Sequence, residues 1–219
     1  MNYSFLTNTI LFRGTSEEEA QAILSCLGAV EKRYDKGEVI FRAGACTENM
    51  GLVLSGSVNI ETDDLWGNRS IFGRAEPGQI FAETYACIPG EPLMVNAVAD
   101  EKSNILLLSA ARLTTTCGST CAYHNKLIRN LLLISAQKNL ALSRRSLHTS
   151  AKSIRGRLLS YLSEQAKQRG SYQFTIPFNR QQLADYLNLD RSALSNELSK
   201  MQNDGLLTYE KSTFSLKQI

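Results

Sequence analysis

FTIPFNRQQLADYLNLDRSALSNELSKMQNDGLLTYEKSTFSL, residues 174–216, decides the architecture. It predicts strand, helix, tight turn, helix, strand, turn, strand. Asn179 stands three residues ahead of Gln182, the spacing of a capping box, in which each side chain accepts from the other's backbone N–H. Leu183, Ala184 and Leu187 follow as the apolar stripe of a short helix. Asn188 then tolerates the left-handed backbone of a sharp helix exit. Asp190 caps a second helix from Arg191 to about Met201, and Gly205 stops the chain soon after. Ala184 is small where the two helices must nearly touch. The segment is a helix-turn-helix, and Leu206 to Tyr209 and Thr213 to Leu216, joined by Glu210-Lys211-Ser212, form a hairpin wing. Arg191, Ser192, Ser195 and Asn196 lie along the early, outward side of the second helix. Short polar and forked groups of this kind reach base edges in a major groove. Asn179, Arg180 and Lys200 complete the expected DNA-binding set, with Arg180 expected on phosphate.

The charge distribution points the same way. The 219 residues carry a formal net charge of only +3. Residues 1–143 hold 12 Lys/Arg and 15 Asp/Glu, a net of −3, whereas residues 144–219 hold 12 and 6, a net of +6. The basic excess coincides with the helix-turn-helix half, as a polyanionic partner requires. With 43% hydrophobic residues the chain can bury a real core. No N-terminal basic-then-apolar segment resembles a signal peptide, and apolar runs such as Leu131 to Ile134 are too short to span a membrane. A cytoplasmic location without membrane contact is expected. The five cysteines, an odd number without export, are expected to be reduced thiols.

From Val30 to about Leu108, short apolar runs alternate with glycine-centred turns. Lys36-Gly37-Glu38 precedes Val39-Ile40-Phe41, Ser55-Gly56-Ser57 divides Leu52-Val53-Leu54 from Val58-Asn59-Ile60, and Asp63 to Asn68 and Pro77-Gly78 are further turns. Regular short strands of this kind predict an antiparallel β-roll. The segment before it, Ser16 to Leu27, reads as a helix capped by Ser16, with Glu17, Glu18 and Glu19 in its first turn. A metalloenzyme barrel would need inward histidines or carboxylates. Both histidines, His124 and His148, lie outside the roll. No nucleophile–base pair, phosphate-binding P-loop or dinucleotide fingerprint occurs, so no enzymatic activity is expected.

No Gly or Pro occurs between Ser119 and Arg155, and about Ala122 to Thr149 reads as one helix on the order of 40 Å long. Leu127, Leu131, Ile134, Lys138 and Ala141 form one stripe; Leu133, Leu140 and Leu147 form another, rotated roughly 120°. Two stripes predict two apolar contacts, one with the roll and one with the same helix of a second subunit. The first stripe is assigned to the dimer interface. The polar run Ser143 to Lys152 reads as a hinge into the DNA-binding domain. The expected layout is α+β: a sensor roll over residues 1–118, a long dimerisation helix and hinge over 119–149, and a winged helix-turn-helix over 150–219.

This layout resembles the Crp–Fnr family of bacterial transcription regulators over nearly the whole chain. The best-matching motifs are Lys36 to Gly44, Leu54 to Val58, Pro77 to Glu83, and Asn179 to Leu207. The resemblance implies a cyclic-nucleotide-binding-like roll that senses a signal. It also implies a homodimer on an inverted repeat in double-stranded DNA, and contact with RNA polymerase. By the same resemblance Arg191, Ser192 and Asn196 occupy base-reading positions. Many members carry Arg where this chain has Asn196, and Asn suits adenine rather than guanine.

The effector is where this chain departs from the family pattern. Members that bind cyclic AMP use a Gly-Glu pair for the ribose and a later Arg-Ser pair for the phosphate. Here Ala82-Glu83 keeps only the Glu, and no Arg or Lys occurs between Arg74 and Lys102. A buried cyclic phosphate without a cation would cost several kcal/mol. Cyclic AMP is therefore not expected, and no cofactor is. By the fold's layout Glu83, Thr84, Glu91, Val95 and Asn96 are expected to line a pocket for an unidentified small-molecule effector. Cys117, Cys121 and His124 form the only ligand-like cluster, with inert buried thiols as the simpler reading. Two alternatives stay open: a metal- or redox-responsive regulator using that cluster, and a ligand-binding scaffold whose helix-turn-helix contacts protein only.

Overall fold

The structure, a computed structural model, describes residues 1–63, 69–114 and 122–217. It divides into two compact units, Met1–Ala136 and Gln137–Ile219.

The first unit opens with two capped helices. Asn2 accepts from the Phe5 N–H at 3.0 Å to start α1, Tyr3–Thr7. Ser16 and Glu19 exchange side-chain-to-backbone bonds of 3.2 and 3.1 Å to start α2, Glu17–Leu27, so the acidic first turn sits at the positive helix end as expected. Eight strands follow: β1 Val30–Tyr34, β2 Val39–Phe41, β3 Asn49–Ser55, β4 Val58–Asp63, β5 Arg69–Ala75, β6 Ile80–Phe81, β7 Asn96–Ala99 and β8 Ser103–Ser109. Two short helices interrupt them or follow: α3, Glu83–Cys87, and α4, Ala110–Thr114. The strands form two four-stranded sheets, in the orders β1-β8-β3-β6 and β2-β7-β4-β5, with antiparallel pairing.

Alternation along β3 and β8 explains their apolar runs. Met50, Leu52, Leu106 and Leu108 enter one core with α1 and α2, while Val53 and Ile105 enter a second, inside the roll. A sheet covered on both faces needs no polar side, so these strands read as continuous hydrophobic stretches. Phe81 lies across Gly51, where a Cβ would come within 2.3 Å of the ring; only glycine lets strand and ring approach so closely. By contrast β5 is an edge strand and leaves Ile71 and Phe72 exposed.

The long helix is α5, Ala122–Thr149. Three residues of the stripe assigned to the dimer interface pack within the first unit itself. Leu127, Leu131 and Ile134 are buried in the first unit's own core with Leu6, Leu11, Phe12 and Leu113. Lys126 reinforces this packing with a 2.7 Å pair to Glu19, and Asn130 donates to the Leu11 and Arg13 carbonyls at 2.9 Å. Lys138 and Ala141, farther along that stripe, are exposed. The bare apolar surface is the other side: Leu132, Leu133, Leu140 and Leu147 are exposed by 68%, 42%, 50% and 63%. Periodicity alone shows two stripes but not which one the roll covers. Among the described residues no helix is long and apolar enough to cross a membrane.

The second unit packs the end of α5 with α6 Ile154–Arg169, β9 Gln173–Thr175, α7 Arg180–Leu187, α8 Arg191–Asn203, β10 Leu207–Glu210 and β11 Thr213–Leu216. Leu158, Leu162, Leu183, Leu187, Leu194, Leu198, Met201 and Phe214 are fully buried together, each contributing on the order of 2 kcal/mol. The run expected as a hinge, Ser143 to Lys152, is largely helical and bonded within this unit. Arg145 donates to the Tyr186 and Asp185 carbonyls at 3.0 and 2.8 Å. The His148 Nε2 lies 2.5 Å from Glu164, which also meets Arg144 at 3.5 Å. Polar composition suggested solvent; the carbonyl and carboxylate partners, distant in sequence, remove the need for it.

Candidate nucleic-acid interface

The local chemistry of residues 179–205 sets the interface. Asn179 and Gln182 form the capping box, with both bonds at 2.9 Å. Asn188 adopts φ +54°, and the Leu189 N–H returns to the Ala184 carbonyl at 2.9 Å. This closes α7 in the left-handed exit the sequence predicts. Asp190 accepts from the Ala193 N–H at 2.9 Å and from the Ser192 hydroxyl at 2.5 Å. The hydroxyl first, then the N–H, hold its carboxyl below the usual range. A charged cap at the start of α8 also opposes the helix dipole favourably.

Leu194, Leu198 and Met201 turn α8 inward. Arg191, Ser192, Asn196 and Lys200 remain exposed on its other side, and Ser195 is half-buried and donates to the Arg191 carbonyl at 2.9 Å. The acids around this helix are largely engaged elsewhere. Arg155 of α6 binds Glu197 at 2.6 Å and Asp204 at 2.7 Å. Glu197, then Asp204, hold the Arg155 guanidinium above its usual range. The outward face of α8 thus presents cations, hydroxyls and an amide, with its one internal carboxylate drawn to α6.

Of the expected DNA-binding set, the structure gathers Arg191, Ser192, Asn196 and Lys200 on one solvent-facing helix. Asn179 spends its side-chain oxygen on the cap. Arg180 folds onto the wing, its guanidinium 4.7 Å from the Tyr209 ring centre and 5.3 Å from that of Phe214. Sequence reading missed Tyr209, whose hydroxyl lies 3.4 Å from the Ser199 hydroxyl of α8. It also missed Arg145, Arg155 and Arg157, the last donating to the Leu187 and Asn188 carbonyls at 3.2 and 2.9 Å. No local pattern announces contacts with partners 30 to 42 residues away.

In the roll, Glu83 is buried in the first turn of α3, which follows Ala82 at φ +59°. Thr84 and Glu91 are exposed, and Val95 is half-buried. Asn96 accepts from the Ala43 N–H at 2.8 Å. Phe41 and Phe81, 5.8 Å apart, pack inside the roll with Val53, Val58, Ala97 and Ile105. Cys117 and Cys121 lie outside the described residues; His124 is buried. Among the described residues no group of three His, Cys, Asp or Glu side chains could hold a metal ion.

Two family models match the chain: a cyclic nucleotide-binding domain over residues 31–119 and a Crp-like helix-turn-helix domain over residues 156–219. No curated protein matches. Among solved structures, the catabolite activator protein of Thermus thermophilus is 21% identical, with 95% of this chain and 94% of that chain covered and a TM-score of 0.52. The c-di-GMP responsive global regulator CLP of Xanthomonas campestris is 19% identical, with 93% and 100% covered and a TM-score of 0.56. A cyclic nucleotide-binding domain from Methylobacillus flagellatus is 22% identical, with 65% and 79% covered and a TM-score of 0.53. At these identities the structures share the fold. With both domain models matched in order, the chain belongs to the Crp–Fnr family of bacterial transcription regulators.

Proposed function

We propose, with that membership as the premise, that the protein is a homodimeric, sequence-specific DNA-binding regulator of transcription. In this reading α8 enters the major groove at each half of an inverted repeat, and the DNA-bound dimer contacts RNA polymerase. The observation that carries it is the outer face of α8, where Arg191, Ser192, Asn196 and Lys200 are exposed while Glu197 is held by Arg155. Arg191 suits guanine and Asn196 suits adenine.

The bare side of α5 supports the dimer. Leu133, Leu140 and Leu147 recur every seven residues, and Ala136 and Ser143 fall at the intervening small positions. That is a short coiled-coil seam, which would place two copies of α8 for successive groove faces. The roll's signal is a small molecule without a cyclic phosphate, because no cation lies between Arg74 and Lys102 and Glu83 is acidic. The protein works in the cytoplasm and catalyses no reaction.

Selection of bound sequences from a random duplex pool, using the full-length chain, tests the regulator reading. An enriched inverted repeat is expected; enrichment of none rejects it. Steep salt dependence of duplex binding separates it from a scaffold that uses the helix-turn-helix only on protein, since phosphate neutralisation releases counterions.

A further inference from the structure

Arg180 stands at the first position of α7, where a free guanidinium would be well placed for a phosphate. Its surroundings are of a different kind. The group lies over two aromatic rings of the wing, Tyr209 of β10 and Phe214 of β11. Its Nη1 is buried without a hydrogen-bond partner among the described residues. Phe214 is wholly buried and Tyr209 half-buried, so the rings form a fixed platform. Tyr209 extends the arrangement by placing its hydroxyl 3.4 Å from Ser199 on α8. A second tie joins the same two elements: Ser212, in the wing turn, donates to the Phe178 carbonyl just before α7 at 2.9 Å, and its own carbonyl accepts from the Ile176 N–H at 2.9 Å.

We propose that Arg180 is a positioning residue that clamps the wing to the start of α7, and through Tyr209 fixes the wing against the base-reading helix, rather than a phosphate contact. The inference rests on the DNA-binding reading for its functional meaning. A flat, weakly hydrated guanidinium stacks on rings where an ammonium would seek water. Burial also lowers the Arg180 pKa from its usual range, consistent with a cation withdrawn from solvent. Phosphate contact would need the group to leave both rings and forfeit the stacking.

The test uses the full-length protein with Arg180→Ala and Arg180→Lys. Hydrogen exchange across the Leu207–Leu216 hairpin is followed without DNA, and affinity for a mixed-sequence duplex is followed across a salt series. Both variants should exchange faster in the hairpin and bind the duplex several-fold more weakly. The slope of log affinity against log salt should stay at the wild-type value, and Lys should not restore binding. A slope shallower by about 0.9 in the Ala variant, the signature of one lost phosphate contact, overturns the proposal. So does binding restored by Lys, or hairpin exchange left unchanged. If the wild-type chain shows no salt-dependent duplex binding, the regulator reading fails, while the exchange measurement still decides whether Arg180 holds the wing.

Discussion

The two units treat their polar side chains in opposite ways. In the roll, two of the groups expected to meet a ligand are engaged by the fold: Glu83 is buried and Asn96 is bonded to the Ala43 N–H, with Phe41 and Phe81 packed together nearby, while Thr84 and Glu91 stay exposed. In the winged helix-turn-helix, Glu197 and Asp204 are engaged internally by Arg155, and the cations and amides of α8 are left in water. A surface meant for a long polyanion must stay open and cannot be shielded by its own carboxylates. The sensor role proposed for the roll is compatible with groups kept occupied until a ligand arrives. The long helix carries both tendencies on one rod, burying one leucine stripe and displaying another.

The largest effect tests that division of α5. Leu131→Lys combined with Ile134→Lys places two ammonium groups in the first unit's core, where each buried charge costs several kcal/mol. Loss of cooperative thermal unfolding of the first unit is expected; a folded variant would show that the stripe is dispensable there. Leu133→Lys combined with Leu140→Lys alters only the bare side. The chain should stay folded, sediment as a monomer, and lose on the order of 100-fold in affinity for an inverted repeat as avidity disappears. A stable dimer of this variant would place the seam elsewhere.

A smaller change should follow from Arg191→Ala, about 1–3 kcal/mol in duplex affinity with relaxed preference at one base per half-site. Binding-site selection with the variant measures it, and an unchanged preference would remove Arg191 from the reading set. Asn179→Ala should lower stability by about 1 kcal/mol through loss of the capping box, read from denaturant midpoints. The smallest expected signal is none at all. Calorimetry of the full chain with cyclic AMP or cyclic GMP should give no saturable heat. Micromolar binding of either would mean that backbone N–H groups replace the missing arginine.

How much of this the amino-acid order reveals depends on the range of the interactions. Asn179 with Gln182, Asn188, and Asp190 with Ala193 act over three or four residues, and the structure shows each in the role the residue type implies. The roll's glycine turns were equally legible, but β1 pairs with β8 across more than sixty residues, with Val30 opposite Leu107 and Tyr34 opposite Ser103. Helix α3 gives no sequence signal, because its cap position is Ala82 in a left-handed conformation with no side-chain bond. The choice of buried stripe on α5 depends on Leu6, Leu11 and Phe12, more than a hundred residues earlier. The same holds for Arg144, Arg145 and His148 of the polar run read as a hinge, whose partners lie on α6 and α7.

The arginines that hold the end of α7 bear on how this unit comes apart. Arg145 and Arg157, from two other helices, satisfy four consecutive carbonyls from Asp185 to Asn188. The last turn of α7 is therefore expected to have no independent melting step. Its amides should exchange with solvent only when α5 and α6 let go, at the rate of the unit's cooperative opening rather than at the faster rate of a fraying helix end. The first helix of the motif is kept in register by its neighbours' folding, and the timing of its release belongs to the whole unit.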